Sequence, residues 1–222
     1  MIKIEKVEVF GFEAAIRGCR NPMNSWDKSD SRFVMSYEMS KILELNPYGI
    51  GDNDLKLMKN LVKAGTDHSK FMRMINVTMD VTAPLYWWKE LDTYKVGTVA
   101  NSCSTMHKIH EKEFTLDDFS HEHLMDYGLK LLEDIIESLN SCRNIYNNGY
   151  VGKGYTIKPK SKEYWYEMIQ LLPSSYNQKR TIQLNYAVLR NIYHARKNHK
   201  LDEWKAFCEW IESLPYSELI TL

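Results

Sequence analysis

The sequence has little of what marks the specialised classes of protein. Lys plus Arg total 29 and Asp plus Glu total 29 in 222 residues, so the chain has no net charge. That balance argues against a broad footprint for nucleic acid or an anionic membrane, while leaving room for a local basic pocket. Long apolar runs are missing. Ala83-Pro84-Leu85-Tyr86-Trp87-Trp88 stops far short of the roughly 20 residues a membrane span needs. Met1-Ile2-Lys3-Ile4-Glu5-Lys6 shows no apolar core of a secretory signal. Only 10 glycines and 6 prolines are present, too few for linkers or a fibrous protein. The 4 cysteines, Cys19, Cys103, Cys142 and Cys208, are scattered with no Cys-x-x-Cys, which points to reduced thiols in a cytosol. No repeat and no low-complexity tract is visible.

What is present is an ordinary globular composition: 44% hydrophobic and 26% charged residues, enough for a sizeable core. The length suits a single domain over residues 1–222.

Apolar spacing gives the elements. Ile2, Ile4, Val7 and Val9 read as a half-buried opening strand with a slip between 4 and 7. Phe33, Tyr37, Ile42 and Leu45 have near-helical spacing over Ser31–Leu45. A helix opens at Gly51-Asp52-Asn53-Asp54, with acids where the dipole favours them. It carries Leu55, Met58 and Val62 on one face and ends at Gly65. Met74–Thr82 alternates as a strand with Ile75, Val77, Met79 and Val81 on one side. Ala83-Pro84 then starts an aromatic helix.

A long helix is expected over Ser120–Tyr146, with Leu129, Leu132, Ile136 and Leu139 as its stripe. A loop follows from Asn147 to Lys160, then a helix over Ser161–Leu172 ended by Pro173. Arg180–Leu184 is extended. Asn185–Lys200 and Leu201–Leu214 close the chain as two helices. The order is mixed α+β: a small sheet with long helices.

Four groups of residues carry possible chemistry. Gly152-Lys153-Gly154 lacks the spacing and the preceding strand of a phosphate loop, and reads as a solvated turn. His107, His110, His121 and His123 crowd one region but match no tight zinc template. Trp87-Trp88, with Tyr86 and Tyr94, suits either a stacking platform or a buried helix packed on the preceding strand. Arg190, Arg196, Lys197, His199 and Lys200 make the final helices locally basic. Arg196 at a helix end either complements the dipole or serves an anion site, since guanidinium binds phosphate bidentately.

Three segments together resemble the flavin-dependent thymidylate synthases. They are His68-Ser69-Lys70-Phe71 leading through the alternating strand to Ala83-Pro84, then Trp88 to Lys95 with Asn101 and Ser104, then Leu172-Pro173 with Asn185, Asn191, Arg196 and Asp202-Glu203-Trp204. With their connections they span roughly residues 50–214, and the match is in spacing and element order more than identity.

The resemblance implies a thymidylate synthase-complementing-protein-like fold and a cytoplasmic homotetramer with FAD at its subunit interfaces. It further implies methylation of dUMP to dTMP, with methylenetetrahydrofolate and NADPH as cosubstrates. Carried over by position, it implies Lys95 as the catalytic cation. His68, Tyr94, Asn185 and Asn191 fall at cofactor positions; Arg196, Glu90 and Ser104 fall at substrate positions. It implies no metal, no nucleic-acid partner and no membrane. Asn185 also suits a helix N-cap.

The departures fall on the signature. Thr93-Tyr94-Lys95 stands where the family has Arg-His-Arg, and Glu90 where it has Gln. Thr105 or Met106, Ile169 and Ala187 stand where it has Arg, and Arg73 where it often has Glu. Two readings follow: an enzyme acting on dUMP or a related nucleotide, or a non-catalytic binding or scaffold protein on the same fold.

Overall fold

The computed structural model describes residues 2–36, 38–39, 47–152 and 154–222. The strands are β1 (Lys3–Phe10), β2 (Arg32–Phe33), β3 (Tyr48–Gly49), β4 (Asn76–Pro84), β5 (Val99–Ser102), β6 (Tyr150–Gly152), β7 (Tyr155–Ile157) and β8 (Asn177–Asn185). The helices are α1 (Phe12–Arg20), α2 (Asp52–Lys63), α3 (Leu85–Leu91), α4 (Thr105–Lys108), α5 (Asp126–Asn148), α6 (Lys162–Leu171), α7 (Tyr186–Arg196), α8 (Asp202–Glu212) and α9 (Glu218–Thr221). A four-stranded sheet runs in the order β1-β4-β8-β5. The expected small sheet with long helices is therefore present.

The chain forms two compact units. One holds residues 1–3, 81–92 and 101–180; the other holds 4–80, 93–100 and 181–222.

In the first unit, α5 and α6 pack together around Leu132, Leu139, Cys142 and Met168, with Ile109, Phe114 and Phe119. The helix α5 begins at Asp126, later than the expected Ser120; ahead of it Thr115 forms a capping box with Asp118 on a separate 3-10 turn. On its stripe Leu132 and Leu139 are buried, while Leu129 and Ile136 are half-buried. The expected loop after α5 is a hairpin: Tyr150 pairs Ile157 and Gly152 pairs Tyr155, antiparallel. Each strand there is only three residues long, too short for an alternating pattern to mark it. Trp87 and Trp88 are 0% and 1% exposed with their rings edge to face at 4.9 Å, so they belong to the interior rather than to a ligand platform. Pro84 is the N-cap of α3, ahead of the expected first-turn position.

In the second unit, Ile75 is buried just ahead of β4, Val77 and Met79 are buried on β4, and Ile182 and Leu184 on β8. The slip expected in β1 is real: Lys6 has φ 54, and beyond it Val7 is exposed. A single left-handed residue shifts the phase of a strand in the manner of a bulge. Gly11, with φ +100, follows β1; a Cβ there would lie 2.0 Å from the carbonyl oxygen of Met74.

The helix α2 buries Met58 and Val62 as expected, but its third buried residue is Asp54, while Leu55 is only half-buried. Asp54 is paired with Arg20 at 2.6 Å. Arg32 and Phe33 are strand, not helix, and pair with Gly49 and Tyr48. The remainder of the helix expected over Ser31–Leu45 falls partly on residues 37 and 40–46, which lie outside the described residues.

Among the described residues no helix is long and apolar enough to cross a membrane. All four cysteines are free thiols.

Candidate functional site

Six of the residues singled out from the sequence fall in the second unit: His68, Tyr94, Lys95, Asn185, Asn191 and Arg196. Glu90 and Ser104 fall in the first. Ser104 is occupied locally, its Oγ accepting the amide of His107 at 3.1 Å as the N-cap of α4. Glu90 is half-buried on α3.

The helix α7 organises the second-unit group. Asn185 ends β8 and caps α7, its Oδ1 accepting the amide of Val188 at 3.1 Å. That satisfies one of the amides a helix start leaves orphaned. Asn185 is also 9% exposed, so its side chain serves the fold.

At the other end of α7, Arg196 is the last helical residue, four short of the expected end at Lys200. Its Nε donates to the hydroxyl of Tyr94 at 3.0 Å, and its guanidinium lies 4.9 Å from the Trp204 ring centroid. The family resemblance implied a cofactor role for Tyr94 and a substrate role for Arg196; the structure joins them and makes Trp204 of α8 the surface beneath the cation. Stacked in this way, a guanidinium keeps a fixed plane. Lys95, next to Tyr94, is exposed.

The middle of α7 borders a cleft of about 130 Å³. Ala187, Arg190 and Asn191 face it, at the i, i+3, i+4 spacing that puts side chains on one helix face. The opposite wall is the turn after α2, with Gly65, Thr66 and Ser69, and the 3-10 helix Lys70–Met74, with Met72 and Arg73. Gly65 has φ +108, which closes α2 and turns the chain toward His68. His68 is exposed in this turn, its amide donating to the carbonyl of Gly65 at 3.1 Å. So the structure brings Asn191 and the His68 turn to one place, and Tyr94 and Arg196 to another on the same helix.

The sequence reading missed Arg73 and Arg190 as partners. Arg190 Nη2 donates to a main-chain oxygen of Leu222, the last residue, at 2.8 Å. The neighbourhood is electropositive: burial, then the charges of Arg190 and Lys197, hold the His194 imidazole below its ordinary pKa.

A wider hollow of about 480 Å³ lies along one face of α6. It carries Glu163 and Glu167 and no cation, so it does not suit an anionic ligand. In the histidine-rich segment, His121 Nδ1 bonds the carbonyl of Phe119 at 2.8 Å. Among the described residues no group of three or more His, Cys, Asp or Glu side chains gathers as a metal site.

No family model matches the chain, and no curated protein sequence matches it. Solved structures do. A flavin-dependent thymidylate synthase ThyX from Helicobacter pylori, complexed with FAD and dUMP, superposes with a TM-score of 0.66 at 14% identity, over 99% of this chain and 98% of that one. A second structure of thymidylate synthase X from Helicobacter pylori with FAD and dUMP gives 0.66 at 13% identity, over 100% of both chains. The fold of this chain is thus the ThyX-like fold along its whole length.

Proposed function

We propose that the chain is a divergent relative of the FAD-dependent thymidylate synthases that binds a nucleotide through α7 and acts on dUMP or a related nucleotide with a flavin. Full-length likeness to structures holding FAD and dUMP supports this reading. The observation that carries it is the Arg196 guanidinium, set over Trp204 and oriented by Tyr94 at the end of α7. That arrangement is suited to a phosphate or to the edge of a pyrimidine.

The residues present fit one end of the cofactor. The cleft at Asn191 holds about 130 Å³, against the roughly 300–1,000 Å³ of a site enclosing a whole drug-sized ligand. Asn191 and His68 are exposed and available to it; Asn185 is engaged as a cap and Tyr94 by Arg196. A homotetramer, in which neighbouring chains complete the walls, goes with this reading. So do a single functional domain over residues 1–222, a cytoplasmic setting, and NADPH and methylenetetrahydrofolate as cosubstrates.

A bound flavin supplies the redox chemistry. This chain's residues would bind and orient: Arg196 the anionic substrate, Lys95 the ring charge, and Asn191 and His68 the cofactor edge.

A second reading, a non-catalytic binding protein, is favoured by Thr93, Met106, Ile169 and Ala187, none of which can hold a phosphate as the family's arginines do. One experiment separates the two. Purified protein is titrated calorimetrically with FAD and dUMP, then assayed for dTMP formation with methylenetetrahydrofolate, NADPH and added FAD. Binding with turnover supports the enzyme. Binding without turnover supports the second reading. Absence of both sinks the nucleotide reading altogether.

A further inference from the structure

The segment that closes α5 and leads into α6 is one-sided in charge. Residues 138–162 hold 5 Lys or Arg and no Asp or Glu, in a chain that has 29 of each kind overall. All of it lies in the first unit. Lys153 lies outside the described residues; the other four are Arg143, Lys158, Lys160 and Lys162. Among the described residues none of these four meets a carboxylate. By contrast, Lys108 and Lys112 of the same unit pair with Glu111 at 2.5 Å and Asp118 at 2.8 Å. The three lysines of the segment are exposed. A net charge of zero argues against a broad anionic footprint and is silent on a local one.

The β6–β7 hairpin carries aromatic rings beside these cations. Its register pairs Tyr150 with Ile157 and Gly152 with Tyr155, so these four residues share one face. The Tyr150 and Tyr155 rings stand 5.5 Å apart, tilted by 35°. Gly152 makes room for them: a Cβ there would lie 2.7 Å from the Tyr150 hydroxyl. Tyr155 is 53% exposed, which leaves its ring open to a further ring. The base of the hairpin is tied to α5. The Lys160 amide donates to the carbonyl of Tyr146 at 2.7 Å, and Lys160 Nζ stands 4.6 Å from the Tyr146 ring centroid. Val151 is the only largely exposed aliphatic side chain among the described hairpin residues, too little apolar surface for a lipid interface.

We propose that this hairpin and the lysines at its base form a binding surface for single-stranded nucleic acid. Tyr155 and Tyr150 stack on unpaired bases, and Lys158, Lys160 and Lys162 neutralise phosphates. Aromatic rings beside cations suit a single strand because its bases present free faces, which a duplex keeps stacked. The Arg196–Tyr94 pair and the α7 cleft belong to the second unit, so this surface does not rest on the proposed function.

Binding is read by fluorescence anisotropy of labelled oligothymidylate and oligouridylate of about 12 nucleotides. Wild-type protein is expected to bind both at about 50 mM salt, more tightly than a duplex of the same length, and to weaken as salt rises. Lys158→Ala and Lys160→Ala each weaken binding severalfold and make the salt slope shallower by about 0.7. Tyr155→Ala weakens it about tenfold with the slope unchanged, whereas Tyr155→Phe, which keeps the ring, stays near wild type. Lys130→Ala, at the far end of α5, has no effect and controls for loss of a cation in general. No binding of either strand, duplex bound as tightly as single strand, or binding indifferent to Tyr155→Ala overturns the proposal. So does lysine-dependent binding to phosphatidylserine vesicles without binding to either oligonucleotide, which assigns the patch to a membrane surface. FAD and dUMP titrations of Tyr155→Ala are expected to match wild type, so failure of either reading leaves the other standing.

Discussion

Arg196 and Tyr94 are 102 residues apart in the chain and 3.0 Å apart in space, Nε to hydroxyl. The bond fixes the plane of a cation that Trp204 supports from one face at 4.9 Å. In water a free arginine samples many rotamers; held this way it meets an anion with less to lose.

The first prediction follows from that geometry. Arg196→Ala is expected to weaken dUMP by about 1.5–3 kcal/mol, the contribution of a hydrogen bond to a charged group. Tyr94→Phe keeps the ring and removes only the hydroxyl, so it costs about 0.5–1.5 kcal/mol of fold stability. Calorimetry and urea unfolding separate the two effects. An Arg196→Ala protein with unchanged dUMP affinity would falsify the assignment of Arg196.

Asn185 gives the second. Asn185→Ala removes the cap of α7 and is expected to cost about 0.5–2 kcal/mol, whereas Asn185→Asp, another good cap, restores most of it. Gly97 faces this cap: its φ is +83, and a Cβ there would stand 3.0 Å from Asn185 Nδ2 and 3.2 Å from Val188 Cγ2. Gly97→Ala therefore destabilises through both backbone and contact. Urea midpoints check all three variants; an Asn185→Ala protein as stable as wild type would refute the cap.

Asp54 gives the third. The carboxylate is 1% exposed and accepts from Arg20 Nε, from the hydroxyls of Ser29 and Ser31, and from the amides of Asp30 and Ser31. Arg20→Ala leaves that charge buried without its counter-ion, an expected loss of about 3–5 kcal/mol. Paired Arg20→Met and Asp54→Leu replacements lose much less, because no buried charge is stranded. A chemical-denaturation cycle over single and double variants measures the coupling.

The fourth concerns pH at the same residue. Burial pushes the Asp54 carboxyl up, but the hydrogen bonds from Ser31, Ser29 and Arg20 and the Arg20 charge outweigh it, and its pKa lies below the ordinary 3.8. A depressed carboxyl binds fewer protons folded than unfolded. Its stabilisation is therefore full above the ordinary value and is lost as the pH falls below 3.8 through the folded pKa. Urea midpoints are expected to be flat with respect to this group between pH 7 and about pH 5 and to fall in acid. Asp54→Asn flattens part of the acid limb, and an unchanged limb in that variant would assign the loss to other carboxylates.

Periodicity alone placed β4 with its buried Val77, Met79 and Val81, Ile75 just ahead of it, the run of β8, and the frame of α5, α7 and α8. Those are segments where one face is apolar at a fixed period, so burial is written into spacing. Even the irregularity at Lys6 was legible, because a bulge changes the phase of alternation. Arg196 at a helix end and Asn185 as a cap were legible for the same local reason.

The rest depended on tertiary structure. The β6–β7 hairpin strands are three residues each, too short for a period to show, and their pairing lies in backbone groups that composition does not report. Asp54 reads as a first-turn acid until Arg20, from another helix, makes it a buried ion. Arg73 and Arg190 are 117 residues apart and look like solvated charges until α7 and the His68 turn form the two walls of one cleft. Local sequence fixes which face of an element is apolar; which polar groups then meet is decided by how the elements pack, since hydrogen bonds and ion pairs act over a few ångströms of space and are blind to distance along the chain.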